Sequence, residues 1–177
     1  RSAMGMIISR SFFTDPSWIV VIHWNDVGFI EDRSLENLTE EQIIHQIKEK
    51  ESLENTARRK VGLSDIHLKN LLLLPHYDTT SHCLEYAARS VIDGSDQENI
   101  SFARHCMGRS GYFSVVFIGT MRPLTDIRTI LEPINHSLSY EKGREYADFD
   151  PKSDPRASGF QNTTSLPWRR IGLGALI

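Results

Sequence analysis

His76 and Asp78, in the stretch Pro75-His76-Tyr77-Asp78, stand two residues apart. Two ligands at that spacing on one element could share a transition metal, with His105 supplied by a neighbouring strand. A metal-assisted or hydrolytic enzyme built on this chain would rest on those three residues. The competing reading makes His76 and Asp78 parts of a turn, with Asp78 accepting backbone N–H bonds, and it is the one adopted; no metal and no cofactor are expected. A second acidic stretch, Asp148-Phe149-Asp150-Pro151-Lys152-Ser153-Asp154, has the alternating carboxylates of a calcium loop. It lacks the central glycine and the terminal glutamate, and Pro151 stiffens its middle. Its aspartates are read as caps and turn formers.

Nucleophile chemistry fares no better. Ser110 sits in Gly108-Arg109-Ser110-Gly111, but a nucleophile elbow needs Gly-x-Ser-x-Gly at a strand-to-helix turn. Here the next element reads as a strand, so Gly108 and Gly111 are expected to shape a hairpin by supplying positive φ. No glycine-rich segment leads into a helix through Lys-Ser or Lys-Thr, which excludes a phosphate-binding loop. The two cysteines, Cys83 and Cys106, fit neither a CxxC nor a zinc spacing. Pairing the flanking strands through a turn near Ser95 sets them opposite one another. Adjacent-strand disulfides are geometrically demanding, so two reduced, half-buried thiols are expected, with a disulfide as the alternative. Asn-x-Ser/Thr sequons at Asn37, Asn99, Asn135 and Asn162 are read as chance occurrences.

Composition narrows the class. With 177 residues, 40% of them hydrophobic, the chain can bury one ordinary core. The net charge of −3 offers no strong field for nucleic acid or an anionic membrane. The longest apolar runs, Trp18–Ile22 and Phe113–Gly119, are far shorter than the roughly 20 residues of a membrane helix, and no leader pattern opens the chain. It reads as a soluble globular piece.

The elements follow from periodicity. Residues 17–24 are dense in β-branched and aromatic side chains and read as a buried strand. Asn25-Asp26 then predicts a turn into a second strand over 27–31. Thr39 with Gln42 spells a capping box, and Glu40 and Glu41 suit the positive helix end. A helix is predicted over 40–60, with Ile43, Ile44, Ile47 and Leu53 on its apolar stripe. Leu71–Leu74 is a short apolar run ended by Pro75, with a turn over 77–81. Strands follow over 82–92, 99–107 and 112–120, joined by short turns, which implies an antiparallel meander. A helix opened by Pro123 carries Leu124, Ile127, Ile130 and Leu131, and Pro133 should end or kink it near Ile134. The expected fold is α+β: an antiparallel β-meander sheet with two helices packed on one face, a two-layer sandwich.

The remainder divides the chain into a single domain over 5–140 and an extended polar C-terminal segment over 141–170. Residues 171–177 follow as the start of a truncated transmembrane helix. Trp168-Arg169-Arg170 followed by small and apolar residues is how a membrane span often begins. An ordinary C-terminal strand or tail is the other reading.

Taken in order, several segments resemble the bacterial domain-of-unknown-function 2167 family. They are Gly5–Ile8, Ser17–Val21, Asp26–Asp32, the helix with Glu54-Asn55 and Arg58-Arg59, Pro75-His76-Tyr77-Asp78, Ser81-His82 and Met107–Tyr112. Most specific is Gly143-Arg144-Glu145-Tyr146-Ala147-Asp148-Phe149-Asp150 with Ser153-Asp154. The polar stretch Phe160–Arg170 departs from the family's usual run into its helix. The resemblance implies an extracytoplasmic, periplasmic-side domain on a membrane tether, and supplies no catalytic residue. The function expected is a non-catalytic module that binds a protein or small ligand, and not nucleic acid. A carrier with a pocket between helix 40–60 and the sheet is a further possibility. Roles are expected for Tyr77 and Asp78 in the turn after Pro75, and for Gly108, Arg109 and Gly111 in the hairpin. Gly143, Arg144, Tyr146, Asp148, Phe149 and Asp154 should pin the C-terminal segment, with Arg144 as the ion-pair partner.

Overall fold

The computed structural model describes residues 4–8 and 18–160. In chain order these form β1 (Met4–Ile8), β2 (Trp18–Asn25), α1 (Asp32–Glu36), α2 (Glu40–Lys60), β3 (Ile66–Asp78), β4 (Cys83–Ile92), β5 (Glu98–Gly108), β6 (Gly111–Thr120) and α3 (Leu124–Ser137). A 3-10 turn follows at Tyr146–Asp148. One six-stranded sheet runs in the order β1-β2-β6-β5-β4-β3, and every pairing is antiparallel. β3 to β6 form the expected meander, and the fold class is α+β.

Helix α2 begins and ends where the capping box and the basic last turn place it. The Thr39 hydroxyl accepts from Gln42 N–H, and the Gln42 side chain accepts from Thr39 N–H. Its apolar stripe stops short of Leu53, which is 75% exposed.

The two long helices do not share a face. Along β4, Leu84, Tyr86 and Ala88 point one way and join Ile43 and Leu35 in one core. Ala87 points the other way, with Phe102, Val115 and Phe117, and packs under Ile127, Leu131 and Ile134 of α3. The central strands are apolar on both sides, so each face needs its own cover. α1 and α2 lie over one face and α3 over the other, making three layers where two were expected.

Other local expectations are corrected by pairing. Residues 27–31 form no hairpin with β2; Phe29 instead makes a parallel bridge to Arg156. β2 takes β1 and β6 as its neighbours. Pro75 does not end its run, because β3 continues to Asp78 through register irregularities between Leu68 and His76. Such a bulge is where a strand tolerates a residue without an N–H. Pro133 lies inside α3, which runs on to Ser137. No helix among the described residues is long and apolar enough to cross a membrane. The expectations for residues 161–177, the tether and its Trp-Arg-Arg flank included, lie outside the described residues.

Candidate functional site

The β3–β4 turn is built by Asp78, whose carboxylate accepts from Thr80 N–H (2.9 Å) and from the Ser81 hydroxyl (2.7 Å). That is the turn role rather than the metal role. The turn delivers His82 with φ 51°, the one non-glycine residue with positive φ among those described, a conformation an ordinary side chain adopts only at some cost. Its ring stacks on Tyr146 (centroids 3.9 Å, 18°). Its Nδ1 lies 3.2 Å from Asp32 Oδ1 and 3.3 Å from the Tyr77 hydroxyl.

Asp32 closes the group. Tyr77 donates to Asp32 Oδ1 at 2.5 Å, and the Asp32 N–H donates to the Tyr146 hydroxyl at 2.9 Å. The Tyr146 hydroxyl in turn donates to Ile30 O (3.0 Å). Burial alone would raise the Asp32 pKa, but hydrogen bonds with Tyr77, Tyr146 and His82 outweigh it and hold the carboxyl below its ordinary value. Burial, followed by the Asp32 carboxylate, pushes the Tyr77 and Tyr146 hydroxyls up, so both remain protonated donors.

The segment after α3 is fastened to this end by stacking and by two ion pairs, Arg109–Asp154 and Arg156–Glu31. Phe149 stacks on Phe29 (3.7 Å, 9°), and Tyr146 packs on the same ring at 4.7 Å. Phe29 N–H donates to Pro155 O and Ala157 N–H to Phe29 O. The Arg109 guanidinium grips Asp154 with two bonds, Nε to Oδ2 at 2.7 Å and Nη2 to Oδ1 at 3.0 Å, and reaches Gly143 O at 3.3 Å. Arg144, expected as the ion-pair partner, joins through its backbone: its carbonyl accepts from Arg109 N–H and its side chain is exposed. Asp148 accepts from Glu145 N–H. Asp150 accepts from Lys152 N–H and the Ser153 hydroxyl. The calcium-like aspartates are therefore used as caps and as the partner of Arg109.

Gly108 and Gly111 face each other across the β5–β6 hairpin; Gly111 takes the expected positive φ, 158°, Gly108 does not, and close approach constrains both. A Cβ on Gly108 would lie 2.5 Å from the Tyr140 ring, and one on Gly111 would run into the Asn25 carbonyl of β2. Tyr140 is thereby seated to donate to Cys106 O (2.6 Å).

Two sequence-stated metal candidates are elsewhere. His76 is exposed on β3 opposite Glu85. His105 is wholly buried on β5, with Nδ1 2.9 Å from the Ser114 hydroxyl and Nε2 3.3 Å from the Tyr86 hydroxyl. Burial, with the positive fields of His23 and Lys50, pushes His105 down to about 3. Its neutral imidazole is a core hydrogen-bonding group, and His76, Asp78 and His105 do not converge on one cleft.

Cys83 and Cys106 are directly opposed, as the register arithmetic required. They form a disulfide, not two thiols. An antiparallel pair facing one side brings the two Cβ atoms close enough to bridge. The disulfide, His82, Arg104, Tyr140 and Tyr146 line a pocket of about 300 Å³ on the α3 side of the sheet. A groove of about 410 Å³ adjoins it, shares Arg104 and Asn135, and carries the Glu85 carboxylate between Arg104 and Arg128. The interface between α2 and the sheet, where a carrier's pocket was expected, is occupied by Ile43, Ile44 and Ile47 against Leu84 and Tyr86.

Asp32 and His82 were quoted within motif segments without any role. Their pairing could not be read, because the first residue of α1 and the β3–β4 turn are 50 residues apart. A description as a protein of unknown function, DUF2167, matches residues 1–160. No curated protein matches the chain.

Proposed function

We propose that this chain, which belongs to the DUF2167 family, is a non-catalytic binding module that takes a protein segment or small ligand in the pocket beside His82 and Tyr146. One observation carries the reading. Motif segments around residues 26–32, 77–82, 107–112 and 143–154 assemble at one end of the molecule, and the last three contribute Ser81, His82, Met107, Glu145 and Tyr146 to one pocket. Apolar and aromatic walls from Met107, Phe113, Tyr140 and Tyr146, with a few convergent polar groups, are the make-up of a ligand site. The partners of His82 are Asp32, Tyr77 and the Tyr146 ring, and Ser81 donates to Asp78; neither arrangement activates a nucleophile. The proposal includes an extracytoplasmic location in a bacterium and a membrane tether beyond the polar segment. The Cys83–Cys106 disulfide supports the location, since such bonds persist in oxidising compartments.

The test places a photo-crosslinking residue at Ser139, on the pocket rim, or at Leu53, exposed on α2, in cells making the full-length protein. A discrete adduct from Ser139 in the membrane fraction, absent from Leu53, is expected. Equal labelling at both positions, no adduct at either, or a purely cytosolic protein would overturn the reading.

A further inference from the structure

At the opposite end of the strands, three metal-ligating side chains meet. Asp65 precedes β3, His67 is its second residue and Asp93 follows β4; the Asp93 N–H donates to Asp65 O at 2.9 Å, tying the two segments together. Each side chain offers one ligand atom, and these atoms lie within 4.8 Å of one another. His67 Nε2 is 3.2 Å from Asp93 Oδ2.

Two further features bear on a cation. His67 Nδ1 lies 3.1 Å from Glu51 Oε1 of α2, and Glu51 Oε2 accepts from Leu68 N–H at 2.7 Å. A carboxylate anchored behind an imidazole is how metal-bound histidines are oriented, leaving the other ring nitrogen for the ion. Independently, Asp65 Oδ2 accepts from Arg59, while Asp65 Oδ1 is buried with no hydrogen-bond partner. A buried carboxylate oxygen without a partner is uncommon in a folded protein.

We propose that Asp65, His67 and Asp93 bind a divalent transition-metal ion of the zinc class, with Glu51 as the positioning residue. One imidazole and two carboxylates form a mixed nitrogen and oxygen set, which suits zinc better than magnesium. Three protein ligands leave a coordination position for water. Without the ion, His67 is bridged by Glu51 and Asp93. Glu51, Arg58 and Arg59 from α2, with Asp65 and Asp93, are charged groups facing the ring and its ligands. Arg59 opposes the ion through its hold on Asp65.

Calorimetric titration of the metal-stripped chain with Zn²⁺ tests this. One ion per chain is expected, and an equal concentration of Mg²⁺ should not compete. His67→Ala and Asp93→Asn should each weaken binding about tenfold or more, and Glu51→Gln by about 10–100-fold. Arg59→Gln should tighten it. His67 is 43% exposed, so His67→Ala should fold, as circular dichroism would verify. No uptake by the wild type, or uptake that these variants leave unchanged, would overturn the proposal.

Discussion

Reducing the Cys83–Cys106 bond should cost the domain about 3.4 kcal/mol. The two residues are 23 apart in sequence. Closing a loop of that size in the unfolded chain removes about 11–12 cal/mol/K of entropy, which is about 3.4 kcal/mol at 25 °C. In a domain of this length 1 kcal/mol corresponds to roughly 3 °C, so the melting temperature should fall by about 10 °C. The assay is paired thermal melting with and without a phosphine reductant, with intact mass recorded on both samples. A gain of about two hydrogens accompanied by the drop is the expected result. The Cys83→Ala/Cys106→Ala variant should melt near the reduced protein and ignore reductant. An unchanged mass would show two thiols and refute the bond itself. A two-hydrogen gain with an unchanged melting temperature would refute the loop-entropy argument.

Two further perturbations probe the motif end and the core. Phe149→Ala removes the stack on Phe29 and the ring beneath the Arg156 guanidinium. Phe149 is half-buried, so a loss of about 2 kcal/mol is expected, with new protease cleavage within 143–157; an unchanged urea midpoint and digestion pattern would show that the ring does not fasten the segment. His105 governs the second. Its folded pKa of about 3 lies below the unfolded 6.5, so the unfolded chain binds the extra proton between those values. Stability is thus complete above about pH 6.5 and falls on acidification by up to about 1.4 kcal/mol per pH unit until the folded value is reached. His23, also lowered, by burial first and Lys50 second, acts in the same direction. Urea midpoints at successive pH values should show a shallower acid slope for His105→Gln, and identical slopes would contradict the assignment.

Local signals were legible wherever chemistry and period agree within one element. The Thr39–Gln42 box marks the first turn of α2, and the turn near Ser95 sets a register that places Cys83 opposite Cys106. What could not be read depended on contacts distant in sequence. Both faces of β4, β5 and β6 are apolar, so alternation could not say whether α3 joins α2 or lies opposite; only the second core, with Phe102 and Phe117 beneath Ile127, decides it. The hairpin expected at 27–31 failed for a similar reason. Those residues pair with 155–157, more than 120 positions away, a partner that turn chemistry at Asn25-Asp26 cannot announce. The His82 site was hidden because its parts are ordinary apart: an aspartate at a helix start, a tyrosine on a strand and a histidine in a turn.

The backbone of His82 favours a binding role for these parts over an ordinary tie. A turn closed by Asp78 could end in glycine, which adopts positive φ without the steric cost that φ 51° imposes on histidine. That strain is offset by contacts a glycine could not make: the ring lies on Tyr146, and Nδ1 meets Asp32 and Tyr77. The Arg109–Asp154 grip, the Arg156–Glu31 pair and the Phe29–Phe149 stack also fasten the segment that carries Tyr146. His82 is thus one fastener among several, and it also keeps a polar ring on the wall of the pocket. His82→Gly separates the two roles. If the ring serves only packing, relief of strain should offset part of the loss, and crosslinking from Ser139 should persist. If it serves binding, the fold and its melting temperature should change little while the adduct disappears.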